Sequence, residues 1–337
     1  MASSHISKAE SSYIQAGLTS KDPQRLDGRN LGDYRAVALE TGVAPLANGS
    51  AKLNIGRNPH NGSGGTEVVA ATKLEVETLE EGAVDKGRVV CTVTCSPAAY
   101  PHLSPNAVED LQYDLTTVIN QTLAHPSLHP GNLRIIPGRK SWLLNVDLVV
   151  LADAGNIYDA LFMAARAALW DTKVPRTRFV QFKARKGGVD NVGKGGDGMD
   201  VHQDVTSGFD TRGAHSAADF ELPDYWDEGE VLDGRDRWPI CITLNLVPPN
   251  HFLDATTSEE SAVPLKLLLV FSFASIEVPT IQAMRFIGTG ETSSPELRQL
   301  IKEGQRYAAD TFKALQSKLK AEDVRRNQKT RELFASR

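Results

Sequence analysis

The chain has 337 residues, of which 41% are hydrophobic and 23% are charged, and its formal net charge at pH 7 is −5. This length predicts one large domain or two coupled lobes with a sizeable core, and the composition is ordinary for a soluble globular protein. Because the overall field of an acidic chain repels phosphate, the charge gives no support to an autonomous nucleic-acid binder. Any contact with RNA would need a local basic patch.

The three cysteines are Cys91, Cys95 and Cys241. Because their number is small and odd, a disulfide framework is not expected, and a reducing compartment is favoured. Cys91 and Cys95 lie four residues apart in a predicted strand, so roughly 13 Å separates them and they cannot share one zinc ion. We therefore predict buried thiols. The N-terminus lacks the apolar stretch of a signal peptide, and the longest apolar runs are too short to cross a bilayer. We expect a soluble, intracellular protein.

The predicted elements begin with a short helix over about residues 7–15. In 67–77, apolar and charged residues alternate with a period of two, which predicts a half-buried strand. The segment 88–95 is also predicted to be a strand, and its position along the chain makes it the expected hairpin partner of the first.

A helix is predicted over 105–124, because apolar residues recur there at helical spacing and prolines stand at both ends. The nearly continuous apolar run at 141–151 predicts a central strand. A second helix, over about 157–170, follows it, and Asn156 is its predicted N-cap.

The segment 183–218 is rich in glycine and poor in large apolar residues, so it is predicted to be a disordered insertion. Strands are predicted again after it, followed by one long helix that Pro295 opens and that carries an apolar face as far as Leu319. Beyond Lys320 the sequence is charged, and we expect the helix to fray or to stand in solvent there. The strands are predicted at 239–247, 252–255, 265–275 and 281–287.

Several stretches together resemble the ribonuclease-PH superfamily, and within it the ring subunits of the RNA exosome. No single motif decides the resemblance, which depends on their number and order. The stretches are RLDGR at 25–29, TEVVAATKLEV at 66–76, LNVDLVVL at 144–151 with AGN at 154–156, and GTGE at 288–291.

The resemblance implies an α/β (α+β) RNase PH-like fold, also described as ribosomal protein S5 domain 2-like, with two β-α lobes related by an internal pseudo-repeat. It implies a hexameric ring of RNase PH-like subunits, S1/KH-domain cap subunits, hydrolytic exoribonuclease subunits, single-stranded RNA in the pore and no membrane. Nucleus, nucleolus and cytoplasm are the implied locations. The implied segments are an N-terminal helical segment at 1–24, lobe 1 at 25–182, the insertion at 183–218, lobe 2 at 219–319 and a charged tail at 320–337.

Phosphorolysis needs a phosphate site at a helix N-terminus, nearby cations and an acid. The resemblance aligns Ile157 or Tyr158 with a phosphate-binding arginine of active relatives, and Lys266 with their catalytic aspartate. Asp159 is expected to repel phosphate, and no Arg or Lys occurs from 109 to 133. We therefore expect no catalytic residues, no cofactor and no metal. An active phosphate-dependent 3'-5' exoribonuclease and an unrelated small-molecule enzyme on a similar fold are the alternatives.

Three basic residues precede the central strand and are the candidate RNA-binding residues: Arg134, Arg139 and Lys140. They would hold the backbone of a strand without reading its sequence, and the alternative is an ordinary solvated turn. Arg29 and Arg35, in the N-terminal motif, are more readily explained as structural partners of nearby acids than as RNA contacts.

Overall fold

The structure, a computed structural model, describes residues 6–58, 64–79, 87–182, 217–222, 229–275 and 278–335. The chain divides into one unit of residues 1–174 with 229–337 and a second unit of residues 175–228. Most of the predicted insertion at 183–218 lies outside the described residues, and the predicted segment boundaries remain a prediction.

The first sheet of the larger unit has the order β1-β2-β3-β6-β4, with β5 paired to β6. Every pair is antiparallel except β4 with β6, which is parallel. The strands are β1 (Val37–Thr41), β2 (Gly49–Ile55), β3 (Thr66–Thr78), β4 (Arg88–Cys95), β5 (Arg134–Ile136) and β6 (Lys140–Ala152).

The pairing of β4 corrects the predicted hairpin. β4 does not pair with β3, because β6 lies between them and Arg88 stands opposite Leu143 in a parallel register. A parallel pair needs a long crossover, which the helix α2 (Pro105–Leu123) supplies. The central position predicted for β6 is confirmed. The thiols of Cys91 and Cys95 are buried, as predicted, and burial raises the pKa of both.

The second sheet has the order β12-β11-β13-β14 and is antiparallel throughout. Two shorter strands of the larger unit, β7 and β10, pair with each other. In the smaller unit, β8 (Arg178–Phe182) pairs with β9 (Ala217–Glu221). The remaining strands are β7 (Lys173–Val174), β10 (Glu230–Val231), β11 (Ile240–Val247), β12 (Asn250–Phe252), β13 (Lys266–Ser275) and β14 (Val278–Ile287).

The helix α3 (Ile157–Asp171) forms the centre of the larger unit. All 15 of its residues are buried, because it packs against β2 and β3 of the first sheet and β11 of the second. A helix that is apolar on every side is stable only when it is enclosed in this way. The two predicted lobes therefore share one continuous core through α3.

The other helices are α1 (Lys8–Thr19), α4 (Thr257–Ala262) and α5 (Ser294–Ala335). Helix α1 packs on α4 in a small separate core that includes Ile14 and Phe252. Of the two alternatives expected beyond Lys320, fraying is wrong, since α5 continues to Ala335 over 42 residues in all, and exposure to solvent is found at 324–328. Strong helix formers fill its second half, and Arg326 pairs with Asp171 of α3. No described helix is both long and apolar enough to span a membrane.

Candidate functional site at the start of helix α3

The loop between β6 and α3 is where an RNase PH-like enzyme would bind phosphate. Its last residue, Asn156, occupies the predicted N-cap position in a left-handed conformation with φ 62° and ψ 41°. The side chain makes no cap hydrogen bond to the helix, and its Nδ2 atom instead donates to Asp254 Oδ1 at 3.1 Å. The cap prediction is therefore right in position and wrong in the bond it implied.

One backbone N–H at this helix start, that of Asn156, is already engaged. Asn156 N donates to Glu260 Oε1 at 2.9 Å, and the same oxygen lies 2.8 Å from Lys266 Nζ. Helix N-termini favour negative charge, because their first N–H groups have no partner within the helix and the dipole is positive there. In this chain the negative charge is a carboxylate of the chain itself.

Asp254 is the centre of a buried ion cluster over the same loop. Its Oδ2 atom accepts from Arg29 Nη1 at 2.9 Å and from Arg35 N and Nε at 2.7 and 2.9 Å, and its Oδ1 accepts from Arg35 Nη2 at 2.7 Å. Burial opposes ionisation, but the hydrogen bonds and charge of Arg35 outweigh it and hold the pKa of Asp254 below its usual value. The structural role predicted for Arg29 and Arg35 is confirmed.

Arg35 also fixes the loop directly. Its Nη1 atom donates to Ala154 O at 2.9 Å and its Nη2 atom to Gly155 O at 3.0 Å. Gly155 has φ +95°, and a Cβ atom there would lie 2.3 Å from Ala255 O. The backbone of the segment that carries Asp254 thus covers the loop.

Arg25 holds the segment that carries Asp254 in place through buried hydrogen bonds. Its guanidinium makes a bidentate pair with Glu259, at 2.9 Å from Nε to Oε1 and 2.7 Å from Nη2 to Oε2. The two side chains are only 0% and 2% exposed, and Arg25 also donates to the carbonyls of Leu253 and Asp254. Glu259 also forms a capping box with Thr256, the N-cap of α4, so Arg25 and the cap stabilise the same turn.

Asp159 was expected to repel an incoming phosphate, but the structure buries it in the core. Its carboxylate accepts from Tyr34 Oη at 2.8 Å and from Thr243 Oγ1 at 2.7 Å. Burial raises the pKa of Asp159 to about 6, although the two hydroxyl donors oppose this shift. Ile157 and Tyr158 are also buried, so neither can take the place of an arginine that faces a ligand.

Helix α2 brings no cation toward this region. Its surface carries the exposed Glu109, Asp110 and Tyr113. The nearby Arg285 of β14 pairs with Asp114 at 2.8 Å, so its charge is already balanced.

The candidate RNA-binding residues lie together on the β5–β6 hairpin, at the opposite end of β6 from the loop that precedes α3. Arg134 stands opposite Ser141, Lys140 stands opposite Ile136, and Arg139 lies in the exposed turn. Twelve residues of β6 separate Lys140 from the far end of the strand, a length of about 40 Å at the usual strand rise. The structure thus groups these three residues with one another and does not join them to the α3 loop.

Residues 33–175 match the family described as "3' exoribonuclease family, domain 1". The chain is 27% identical over 322 residues to the "Putative exosome complex exonuclease RRP42" of Dictyostelium discoideum, which covers 80% of this chain and 86% of that protein. It is 35% identical over 153 residues to the "Exosome complex component Rrp42" of Sulfurisphaera tokodaii, covering 45% of this chain and about half, 53%, of that relative.

Two solved structures share the fold at low sequence identity. One, "Archaeal exosome core", has a TM-score of 0.61 at 20% identity and covers 91% of this chain and 96% of its own. The other, "archaeoglobus fulgidus exosome with RNA bound to the active site", has a TM-score of 0.62 at 19% identity. The match covers 92% of this chain and 97% of the chain in that structure. The predicted RNase PH-like fold is therefore confirmed.

Proposed function

We propose that this chain belongs to the RNase PH-like proteins of the exosome, of the type called ribosomal RNA-processing protein 42 or exosome component 7, and that it is a non-catalytic subunit of the exosome core ring. In this role it helps to form the channel that passes RNA to separate 3'-5' exoribonucleases during rRNA maturation and mRNA turnover. Its partners are the other RNase PH-like ring subunits, S1/KH-domain cap subunits, hydrolytic exoribonuclease subunits and single-stranded RNA. Its location is the nucleus, the nucleolus and the cytoplasm.

The observation that carries the non-catalytic proposal is the position of Glu260. Phosphorolysis requires an inorganic phosphate at the start of α3, but one N–H of that helix start, Asn156 N, already donates to this carboxylate, which lies where the anion would sit. A phosphate beside Glu260 would face a like charge at close range. The cations that could offset this repulsion are engaged, since Lys266 pairs with Glu260 and Arg35 pairs with Asp254.

The catalytic acid is also missing from the strand where the resemblance places it. Lys266 begins β13 at that position and lies 2.8 Å from Glu260, so the position carries no carboxylic acid that could protonate a leaving oxygen. Each lost donor of the oxyanion type lowers a rate by roughly 10²–10³. The combined losses leave no effective phosphorolysis.

The free edge of the second sheet supports assembly with other subunits. Among the described strands, β14 pairs with β13 alone, and its other edge is open. Three of its apolar side chains, Ile281, Met284 and Phe286, are 43%, 46% and 41% exposed. An open edge with exposed apolar side chains is a liability in a monomer and is typical of a surface that pairs with another chain.

Within a ring, Arg134, Arg139 and Lys140 of the β5–β6 hairpin would contact RNA. Arg134 and Arg139 are exposed and Lys140 is half-buried, and the short hairpin holds them close in space. Contacts of this kind hold phosphates and confer no base specificity.

One experiment tests the catalytic part of the proposal. The purified chain is incubated with single-stranded RNA and inorganic phosphate, and release of nucleoside diphosphates is measured. We expect none. Release that is abolished by Lys266→Ala would refute the non-catalytic proposal and establish a phosphate-dependent exoribonuclease, since a contaminating nuclease would not respond to the substitution.

A second experiment tests assembly. The tagged chain is purified from cells, and stoichiometric partners are identified; RNase PH-like subunits are expected. Met284→Lys should reduce their recovery, because it places a charge on the open edge of β14. Val324→Lys, at a 55% exposed position on α5, is the matched control and should leave recovery unchanged. Equal recovery with Met284→Lys would show that β14 is not a subunit contact.

A further inference from the structure

Helix α5 carries a row of basic residues on its solvent face that neither the fold nor the proposed ring role explains. We call it the α5 stripe. At the helical rotation of 3.6 residues per turn, its members fall within an arc of about 80°, and the row is about 33 Å long. Its members are Arg298, Lys302, Arg306, Lys313 and Lys320, all exposed.

The α5 stripe is not neutralised by the surrounding protein. Within the described ranges, no carboxylate forms an ion pair with any of its five members. Three other cations of α5 behave differently, since Lys318 and Arg325 pair with Glu322 and Arg326 pairs with Asp171. At 3.6 residues per turn, these three paired cations point in other directions around the helix than the five members of the stripe.

Acidic groups near the stripe are few. Glu303 is turned toward His251, with 3.0 Å between its Oε2 atom and His251 Nε2. Asp310 is exposed at the border of the stripe and reduces its potential locally. Because the whole chain carries a net charge of −5, the stripe is a local positive region on a negative molecule. Such a region directs a polyanion to one place.

We propose that the α5 stripe binds the sugar-phosphate backbone of single-stranded RNA. A small anion would need donors that converge on one point, whereas these donors lie in a line along a rigid helix. The phosphates of single-stranded RNA form a linear series of charges that can lie opposite successive basic side chains of the stripe. Lysine and arginine bind these phosphates without recognising the bases. This inference goes beyond the proposed function, because a ring subunit requires no RNA contact on α5. It is also separate from the β5–β6 hairpin.

The test uses the full chain and a fluorescently labelled 20-nucleotide oligouridylate, with binding measured by fluorescence anisotropy over a series of salt concentrations. Release of counterions from a single strand gives a slope of about −0.7 in log K against log salt for each phosphate neutralised, so five contacts predict about −3.5. A variant with Lys302→Gln, Lys313→Gln and Lys320→Gln should bind more weakly, with a slope of about −1.4. Glutamine preserves helix propensity, and circular dichroism confirms that the variant is folded.

The matched control removes three other exposed lysines, with Lys8→Gln, Lys21→Gln and Lys73→Gln, and so changes the net charge equally. It should retain the slope of the unmodified chain. The proposal is overturned if the stripe variant binds RNA like the unmodified chain, or if both variants lose affinity to the same extent. Binding of polyglutamate but not oligouridylate would also overturn it, in favour of an acidic protein partner. The phosphate-release and partner-recovery assays do not depend on α5 charge, so the two proposals can fail separately.

Discussion

Replacing Asp254 by asparagine tests whether the covered loop is held by buried charge. Asp254 is fully buried and accepts five hydrogen bonds, from Arg29, Arg35 and Asn156. In the asparagine variant, the amide NH₂ group is better tolerated in place of Oδ1, which has fewer donors than Oδ2. Even there it would face two donors, Arg35 Nη2 and Asn156 Nδ2. Hydrogen bonds to charged groups contribute about 1.5–3 kcal/mol each, and breaking a buried pair costs about 3–5 kcal/mol. We expect Asp254→Asn to lower the free energy of unfolding by about 3–5 kcal/mol.

Urea denaturation followed by tryptophan fluorescence measures this change, since urea does not screen charge. The matched control is Asp27→Asn, which removes a partner of the same Arg29, at 2.7 Å but with 36% of the Asp27 side chain exposed. A pair of this kind contributes about 0–1 kcal/mol. A loss below about 1 kcal/mol for Asp254→Asn, or an equal loss for both variants, would show that burial does not set the strength of this cluster.

The pH dependence of the same variant has a defined sign. Because the pKa of Asp254 is lowered in the folded chain, its stabilising contribution is present above its ordinary pKa of about 4 and is lost as the pH falls through the lowered value. The difference in unfolding free energy between the unmodified chain and Asp254→Asn should therefore narrow below about pH 4.

Two further predictions concern the start of α3. The pKa of Asp159 is raised to about 6, so its contribution to stability is fully present below its ordinary pKa and is lost as the pH rises through about 6. In urea titrations, the free energy of unfolding of Asp159→Asn relative to the unmodified chain should therefore rise by about 2 kcal/mol between pH 4 and pH 7, and a constant difference would contradict the burial argument. Gly155→Ala should lower the free energy of unfolding clearly more than the control Gly138→Ala does in the same assay. Both glycines have positive φ, but only at position 155 would the added Cβ atom clash with backbone atoms, and equal losses would mean that Ala255 moves freely.

The elements that the sequence predicts well are those whose pattern is local. The apolar run of β6, the helical spacing of α2 and the proline that opens α5 each lie within one segment, and all three elements are present. A local pattern could not identify the pairing partner of β4, because strand pairing joins distant segments. The nine residues between β3 and β4 are compatible with a hairpin and also with other connections. The short helix α4 was missed, although Thr256 and Glu259 have the spacing of a capping box.

The closure of the site could not be predicted for a similar reason. Asn156 and Glu260 are 104 positions apart, and no spacing rule links them. The sequence also could not predict whether the side chain of Asp159 points toward a ligand or into the core. A helix that is buried on every side has no polar face from which this orientation could be inferred. What the sequence did predict was the pairing of Arg29 and Arg35 with acids, because a cation-rich motif in an acidic chain has many possible partners.

The stability of this site and its proposed inactivity have the same physical origin. An active phosphate site must keep N–H groups and guanidinium groups unsatisfied until substrate arrives, which weakens the fold there. In this chain Glu260 engages one of those N–H groups and Asp254 engages the guanidinium groups of Arg29 and Arg35, which stabilises the loop and disfavours an incoming anion. Removing Glu260 alone would free one N–H but would also leave Lys266 unpaired and provide no acid in its place. A single substitution should therefore not restore phosphorolysis, because the cations, the acid and the open helix start must all return together.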